Sequence, residues 1–148
     1  MAHLDELAVL LAASTVAGPP GSSALTASGY LLIKGMMPDS TATSVQHKVV
    51  ALIETAGFQM LERVDMEQPG LQVIVRGDPL NSTSTDVYSN TRAKAAQLRD
   101  VLSGYTGSSG TSSVHYTGIW CENLAFFGYD DRWRPEFVSN FRIMKATT

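Results

Sequence analysis

Three histidines, His3, His47 and His115, and one cysteine, Cys121, have the widest chemical repertoire in this chain. The histidines are far apart in sequence, and none stands at the i,i+4 spacing that lets two imidazoles share a zinc ion from one helix face. A single cysteine leaves no disulfide within the chain and no cysteine-based metal cluster. On an apolar strand it reads as a small buried side chain. Gly107-Ser-Ser-Gly110 lacks the G-x-S-x-G spacing of a nucleophile elbow and reads as a flexible loop. Neither a Walker loop nor a G-x-G-x-x-G fingerprint occurs. Asp130 and Asp131 form a carboxylate pair, but Arg132 and Arg134 beside them point to local charge neutralisation rather than acid–base work. The expectation is a chain with no catalytic, cofactor-binding or metal-ligating set, and not an enzyme.

Two short motifs have bland explanations. Arg76-Gly77-Asp78 spells an adhesion tripeptide, yet it closes a strand, where Gly and Asp make the turn. Asn81-Ser82-Thr83 is a formal glycosylation acceptor, but no signal peptide is visible to bring it to that machinery. The hexapeptide Tyr129, Asp130, Asp131, Arg132, Trp133 and Arg134 is different. It sets two aromatics, two acids and two arginines between Gly128 and Pro135. Trp, Tyr and Arg dominate protein–protein hot spots, so this turn is the candidate interface. The alternative is a solvated hairpin with its charges paired locally and Trp133 folded back on the sheet.

The elements that must position this turn follow from the apolar pattern. Leu71–Arg76 alternates between Pro69-Gly70 and Gly77-Asp78-Pro79 and reads as a strand with a sharp exit. Asp86–Leu102 reads as the longest helix, with Val87, Thr91, Ala95, Leu98 and Leu102 on one face. Ser84, Thr85 or Asp86 caps its start, and Gly104 suits the left-handed position past its end. Leu4, Leu7, Ala8 and Leu11 mark a short first helix with Asp5 and Glu6 in its first turn. Further strands fall at Tyr30–Ile33, Lys48–Thr55, Val114–Cys121 and Glu136–Met144. Apolar residues on both faces of Lys48–Thr55 place that strand inside the sheet. In Val114–Cys121, Val114, Tyr116 and Trp120 share one side and His115, Thr117 and Ile119 the other. Residues 57–69 read as a short strand or an anchored loop, and the Gly/Ser/Pro-rich stretch 17–29 as a flexible arm.

These elements predict one α+β domain over residues 1–148. Its sheet is mixed but mainly antiparallel, has four to five strands, and is covered by one long and one short helix. With 148 residues and 44% hydrophobic content the chain can bury a core, roughly 68–70% of its unfolded surface. The formal charge of −3 argues against a dedicated nucleic-acid binder. The apolar run Leu7–Ala13 is far short of a membrane span.

The order of several segments resembles a known family. Gly35-Met-Met-Pro-Asp-Ser40, Val49–Thr55 with Gly57, Gln72-Val-Ile-Val-Arg-Gly77, Ala96–Leu102 and Arg134-Pro-Glu-Phe-Val-Ser-Asn-Phe141 occur in sequence. Together they resemble the minor capsid or tail-terminator proteins of long-tailed bacteriophages, over Leu4 to Lys145. The resemblance implies a structural virion protein without catalytic residues, made in the host cytoplasm and carried at the head-proximal end of the tail. It implies a homo-oligomeric, hexameric ring that binds the tail tube protein, ends tube growth and meets the head connector or stopper. DNA would pass through its lumen without specific binding. Alternatives are another head–tail joining protein, or a small α+β ligand-binding domain or enzyme with no motif-coded site.

Overall fold

A computed structural model describes residues 4–5, 7–8, 11, 29–39, 45–61, 66–80, 86–107 and 115–146, with the backbone alone for 57–61. Its sheet has five strands: β1 (Leu31–Lys34), β2 (Val49–Leu61), β3 (Met66–Arg76), β4 (Tyr116–Tyr129) and β5 (Pro135–Ala146). They lie in the order β1-β2-β3-β5-β4. β1 runs parallel to β2 and every other pair is antiparallel. The helix α1 (Val87–Leu102) crosses one face between β3 and β4. The architecture is therefore the expected α+β domain with a mixed, mainly antiparallel sheet. Of the expected short first helix, the described residues Leu4, Asp5, Leu7, Ala8 and Leu11 are helical.

The core follows from strand parity. Val50 and Leu52, Leu71, Val73 and Val75, and Phe137, Phe141 and Ile143 all point toward α1. Ala95, Leu98 and Leu102 meet them from the helix, and Leu4, Leu7, Ala8 and Leu11 complete the cluster. Asp86 caps α1, its Oδ1 accepting from the Ser89 amide at 3.0 Å. Gly104 follows the helix at φ 84°, a left-handed conformation that glycine adopts without steric penalty. β2 is an inner strand, and Val49 and Ala51 on its outer face are as buried as Val50 and Leu52 on its inner one.

Three features depart from the sequence pattern. β2 runs on to Leu61 and β3 begins at Met66, so the two strands pair as far as Leu61 and Met66, with irregular pairing between Thr55, Phe58 and Leu61. Pro69 lacks an amide donor, and the ladder with β5 has no paired residue between Glu67 and Gly70. β4 begins with a bulge between Tyr116 and Gly118, which changes its side-chain parity. Tyr116 and Ile119 therefore both enter the core and Trp120 faces out, whereas strict alternation groups Tyr116 with Trp120. β4 also continues through Leu124–Phe127 to Tyr129 instead of ending at Cys121.

The seat of α1 on the sheet depends on Gly77. A Cβ built there falls 1.9 Å from Thr91 Oγ1, an atom already fixed by a 2.7 Å bond to the Val87 carbonyl. Gly77→Ala should therefore lower stability by about 1–3 kcal/mol, the usual penalty for overpacking. Adding Thr91→Ala should return part of that loss in urea unfolding. Equal stability of Gly77→Ala and the parent would contradict this close contact.

Candidate interaction surface

The turn between β4 and β5 is held from inside. Asp130 Oδ1 accepts from the amides of Arg132 and Arg134, both at 3.0 Å. Its Oδ2 accepts from Arg134 Nε at 2.7 Å. The two side chains are almost wholly removed from water, with relative exposures of 0% for Arg134 and 8% for Asp130. Burial pushes the Asp130 carboxyl up, but the two amides and the Arg134 guanidinium outweigh it and hold the group below the usual carboxylate range. Arg134 also reaches His47, with Nη1 3.3 Å from Nδ1. A guanidinium only donates, so Nδ1 is the acceptor in this contact.

Arg76 completes this cluster. It is 1% exposed and donates to three carbonyls: Nε to His47 at 3.0 Å, Nη1 to Pro38 at 3.2 Å and Nη2 to Gln46 at 3.2 Å. Burial, then the nearby Arg134, lowers its pKa to about 10, which leaves it charged at neutral pH. A receptor cannot reach a buried guanidinium, so Arg76-Gly77-Asp78 is not presented as an adhesion motif. Asp78 instead faces Lys48 at 3.7 Å.

On this rigid base Trp133 stands outward. It is 65% exposed and has φ 58°, the one positive φ among described non-glycine residues. A bulky residue there is strained by about 1–3 kcal/mol and persists only where its surroundings dictate it. Trp133 N donates to the Asp130 carbonyl at 3.0 Å, and the Trp133 carbonyl accepts from Leu80 N at 3.1 Å. Its ring is not folded onto the sheet. It leans toward Tyr129 at 6.2 Å, the first step of an aromatic ladder that continues to Phe126 at 5.3 Å and to Tyr88 of α1 at 5.1 Å. Buried Phe137 lies 5.3 Å beneath Phe126. Phe127, within the irregular register between Phe126 and Gly128, is 74% exposed.

The six residues of the turn thus divide. Tyr129, Trp133 and Asp131 are exposed and Arg132 is half-buried, whereas Asp130 and Arg134 are inside and hold the turn's shape. Tyr88, Phe126, Phe127 and Leu80 join the exposed set without having been singled out by sequence. Tyr88 lies off the apolar stripe of its helix, and Phe126-Phe127 sets two aromatics side by side in one strand. Those are the two signals that identify them.

The other chemically versatile residues do not converge. His115 is exposed, and His3 and Asn81–Thr83 lie outside the described residues, as does most of the 17–29 arm. Of Gly107–Gly110 only Gly107 is described, and it bridges to Tyr116. Cys121 is half-buried against the core, and its Sγ donates to the Asn123 carbonyl at 3.0 Å. Burial raises its thiol pKa, away from the thiolate that nucleophilic chemistry needs. Among the described residues no group of three or more His, Cys, Asp or Glu is placed to hold a metal, and no helix is long and apolar enough to cross a membrane. A cavity of about 150 Å³ lies on the outer sheet face between Thr55, Gly70, Asn140 and Arg142. That is below the roughly 300–1,000 Å³ of a drug-sized ligand site. The sequence matches no protein-family model and no curated protein.

Two outcomes follow. Asp130 has a depressed folded pKa, so it contributes stability above the unfolded value of about 3.9, and this is lost as pH falls through the folded value. Asp130→Asn should be less stable than the parent at pH 7, by about 1.5–3 kcal/mol for lost bonds to a charged group. The difference should vanish in acid, and a gap that is independent of pH would contradict the account. Cys121→Ser keeps a donor for Asn123 and should change stability by less than about 1 kcal/mol in thermal or urea unfolding.

Proposed function

We propose that this chain is a structural subunit of a long-tailed phage particle, forming a ring that caps the tail tube and joins it to the head. The observation that carries this reading is the aromatic ladder ending at Trp133. It is an apolar surface held in a strained, rigid turn at the edge of a sheet. Exposed aromatic surface of this kind marks interaction sites. The resemblance of the order of segments to tail-terminator proteins supports it and supplies the setting. In that setting the subunit binds the last tube ring, occupies the place of the next tube subunit and presents its far side to the connector.

Trp133 separates folding from assembly. Glycine adopts φ 58° without the strain a tryptophan carries there, so Trp133→Gly should keep or raise the stability of the isolated subunit. The same substitution should weaken assembly by at least ~2 kcal/mol, the scale of a hot-spot residue. Sedimentation and thermal unfolding together read both effects. In the phage, loss of the gene should give tails of abnormal length that lack heads. Normal particles from a deletion strain would overturn the function, and full assembly of Trp133→Gly would remove Trp133 from the interface.

A further inference from the structure

The cavity of about 150 Å³ on the outer sheet face lies where the β3–β5 ladder opens. Pairing stops at Glu67–Lys145 and resumes at Gly70–Arg142, so Gln68 and Pro69 form a wall with no paired residue on β5. Gly70 continues that wall. A Cβ built there would lie 2.3 Å from Thr55 Oγ1 and 3.0 Å from the Ala56 carbonyl oxygen, so a larger residue would displace it. Thr55, Gln68, Glu122, Asn140 and Arg142 bring polar groups to the space from four strands. Several are already oriented. Asn140 accepts at Oδ1 from Gln72 Nε2 at 3.2 Å and donates from Nδ2 to Asn123 Oδ1 at 2.8 Å. Arg142 Nη2 pairs with Glu122 Oε1 at 2.7 Å, while the buried Arg142 Nε makes no hydrogen bond. Trp120, the cross-strand neighbour of Arg142, is 37% exposed, with its ring centroid 6.0 Å from the guanidinium.

We infer that this cavity binds one ring of a neutral saccharide. Charge selects against an ion, because Arg142 and Glu122 already neutralise each other and offer no net attraction. An apolar occupant is disfavoured too, since it would strand the amide, hydroxyl and guanidinium groups away from water. What remains is a neutral molecule that donates and accepts at several points, and every sugar hydroxyl does both. The walls match it: Arg142, Asn140, Gln68 and the Thr55 hydroxyl donate, and Glu122, the hydroxyl and the same amides accept. Carboxylate, amide and guanidinium groups each set two polar atoms side by side, the spacing that adjacent hydroxyls on a sugar ring present. Size agrees. A cavity of about 150 Å³ holds a six-membered ring such as benzene. Beside Arg142, the exposed Trp120 ring adds an apolar surface for the C–H face of a neighbouring sugar unit. The site is on the face of the sheet away from α1, apart from the aromatic ladder, and does not depend on the ring reading.

Saturation-transfer NMR on the full-length chain tests the site, with glucose, galactose, mannose and N-acetylglucosamine as probes. At least one sugar should give a saturable signal, and sodium acetate should not displace it. Thr55→Val and Asn140→Ala should each raise that sugar's Kd on the order of tenfold, through hydrogen bonds lost in a largely desolvated site. Thr55→Val keeps the shape of the side chain and decides the matter if Asn140→Ala lowers stability. No saturable signal from any of the four sugars would overturn the inference. Displacement by acetate would do the same by making the cavity an anion site. Unchanged affinity in the folded variants would also overturn it, because the sugar would then lie elsewhere.

Discussion

Two buried guanidinium groups set the terms for the rest of this fold. Arg76 and Arg134 sit at one end of the sheet, 1% and 0% exposed, and a buried charge is tolerated only when paired and hydrogen-bonded. Their partners come from every segment that meets there. Pro38, Gln46 and His47 supply acceptors from the β1–β2 connection, and Asp130 supplies them from the β4–β5 turn. No one of these segments can move away without leaving a charge unpaired in the interior, a loss on the order of 3–5 kcal/mol. The turn therefore inherits the rigidity of the cluster, and this holds Trp133 in a conformation tryptophan otherwise avoids.

The same constraint shapes the sheet's edges. β4 is a 14-residue edge strand, whereas the opposite edge, β1, has four residues. A long edge with exposed rings invites unspecific pairing, and natural proteins blunt such edges with bulges and charge. β4 carries irregular register at Tyr116–Gly118, Cys121–Asn123 and Phe126–Gly128, and Glu122 on it pairs with Arg142 at 2.7 Å. These features protect the middle of the strand. The aromatic ladder is concentrated past the second bulge, where contact is confined to the rigid turn. Under the assembly reading, that division lets a subunit remain soluble before it meets its neighbour.

The core of this fold was legible because its signals are local. The boundaries of β3 come from Pro-Gly before it and Gly-Asp-Pro after it, and the stripe from Val87 to Leu102 is the face that α1 buries. What was not legible depends on partners distant in sequence. Arginine usually stays in water, so nothing near Arg76 announces that it will be enclosed by residues 29 to 38 positions away. A bulge moves Tyr116 and Ile119 to one face, and no alternation rule contains it. Pro69 argues against a strand locally, yet pairing on either side carries β3 past it. In the turn, composition singled out all six residues, but only the fold divides the buried Asp130 and Arg134 from the exposed Tyr129 and Trp133.

The proposed function requires a closed ring of identical subunits. Native mass spectrometry of the purified chain, taken across a concentration series, measures it directly. The account predicts a discrete closed species of six copies that grows at the expense of the monomer as concentration rises. A chain that remains monomeric throughout, or that stops at twofold dimers, would contradict it.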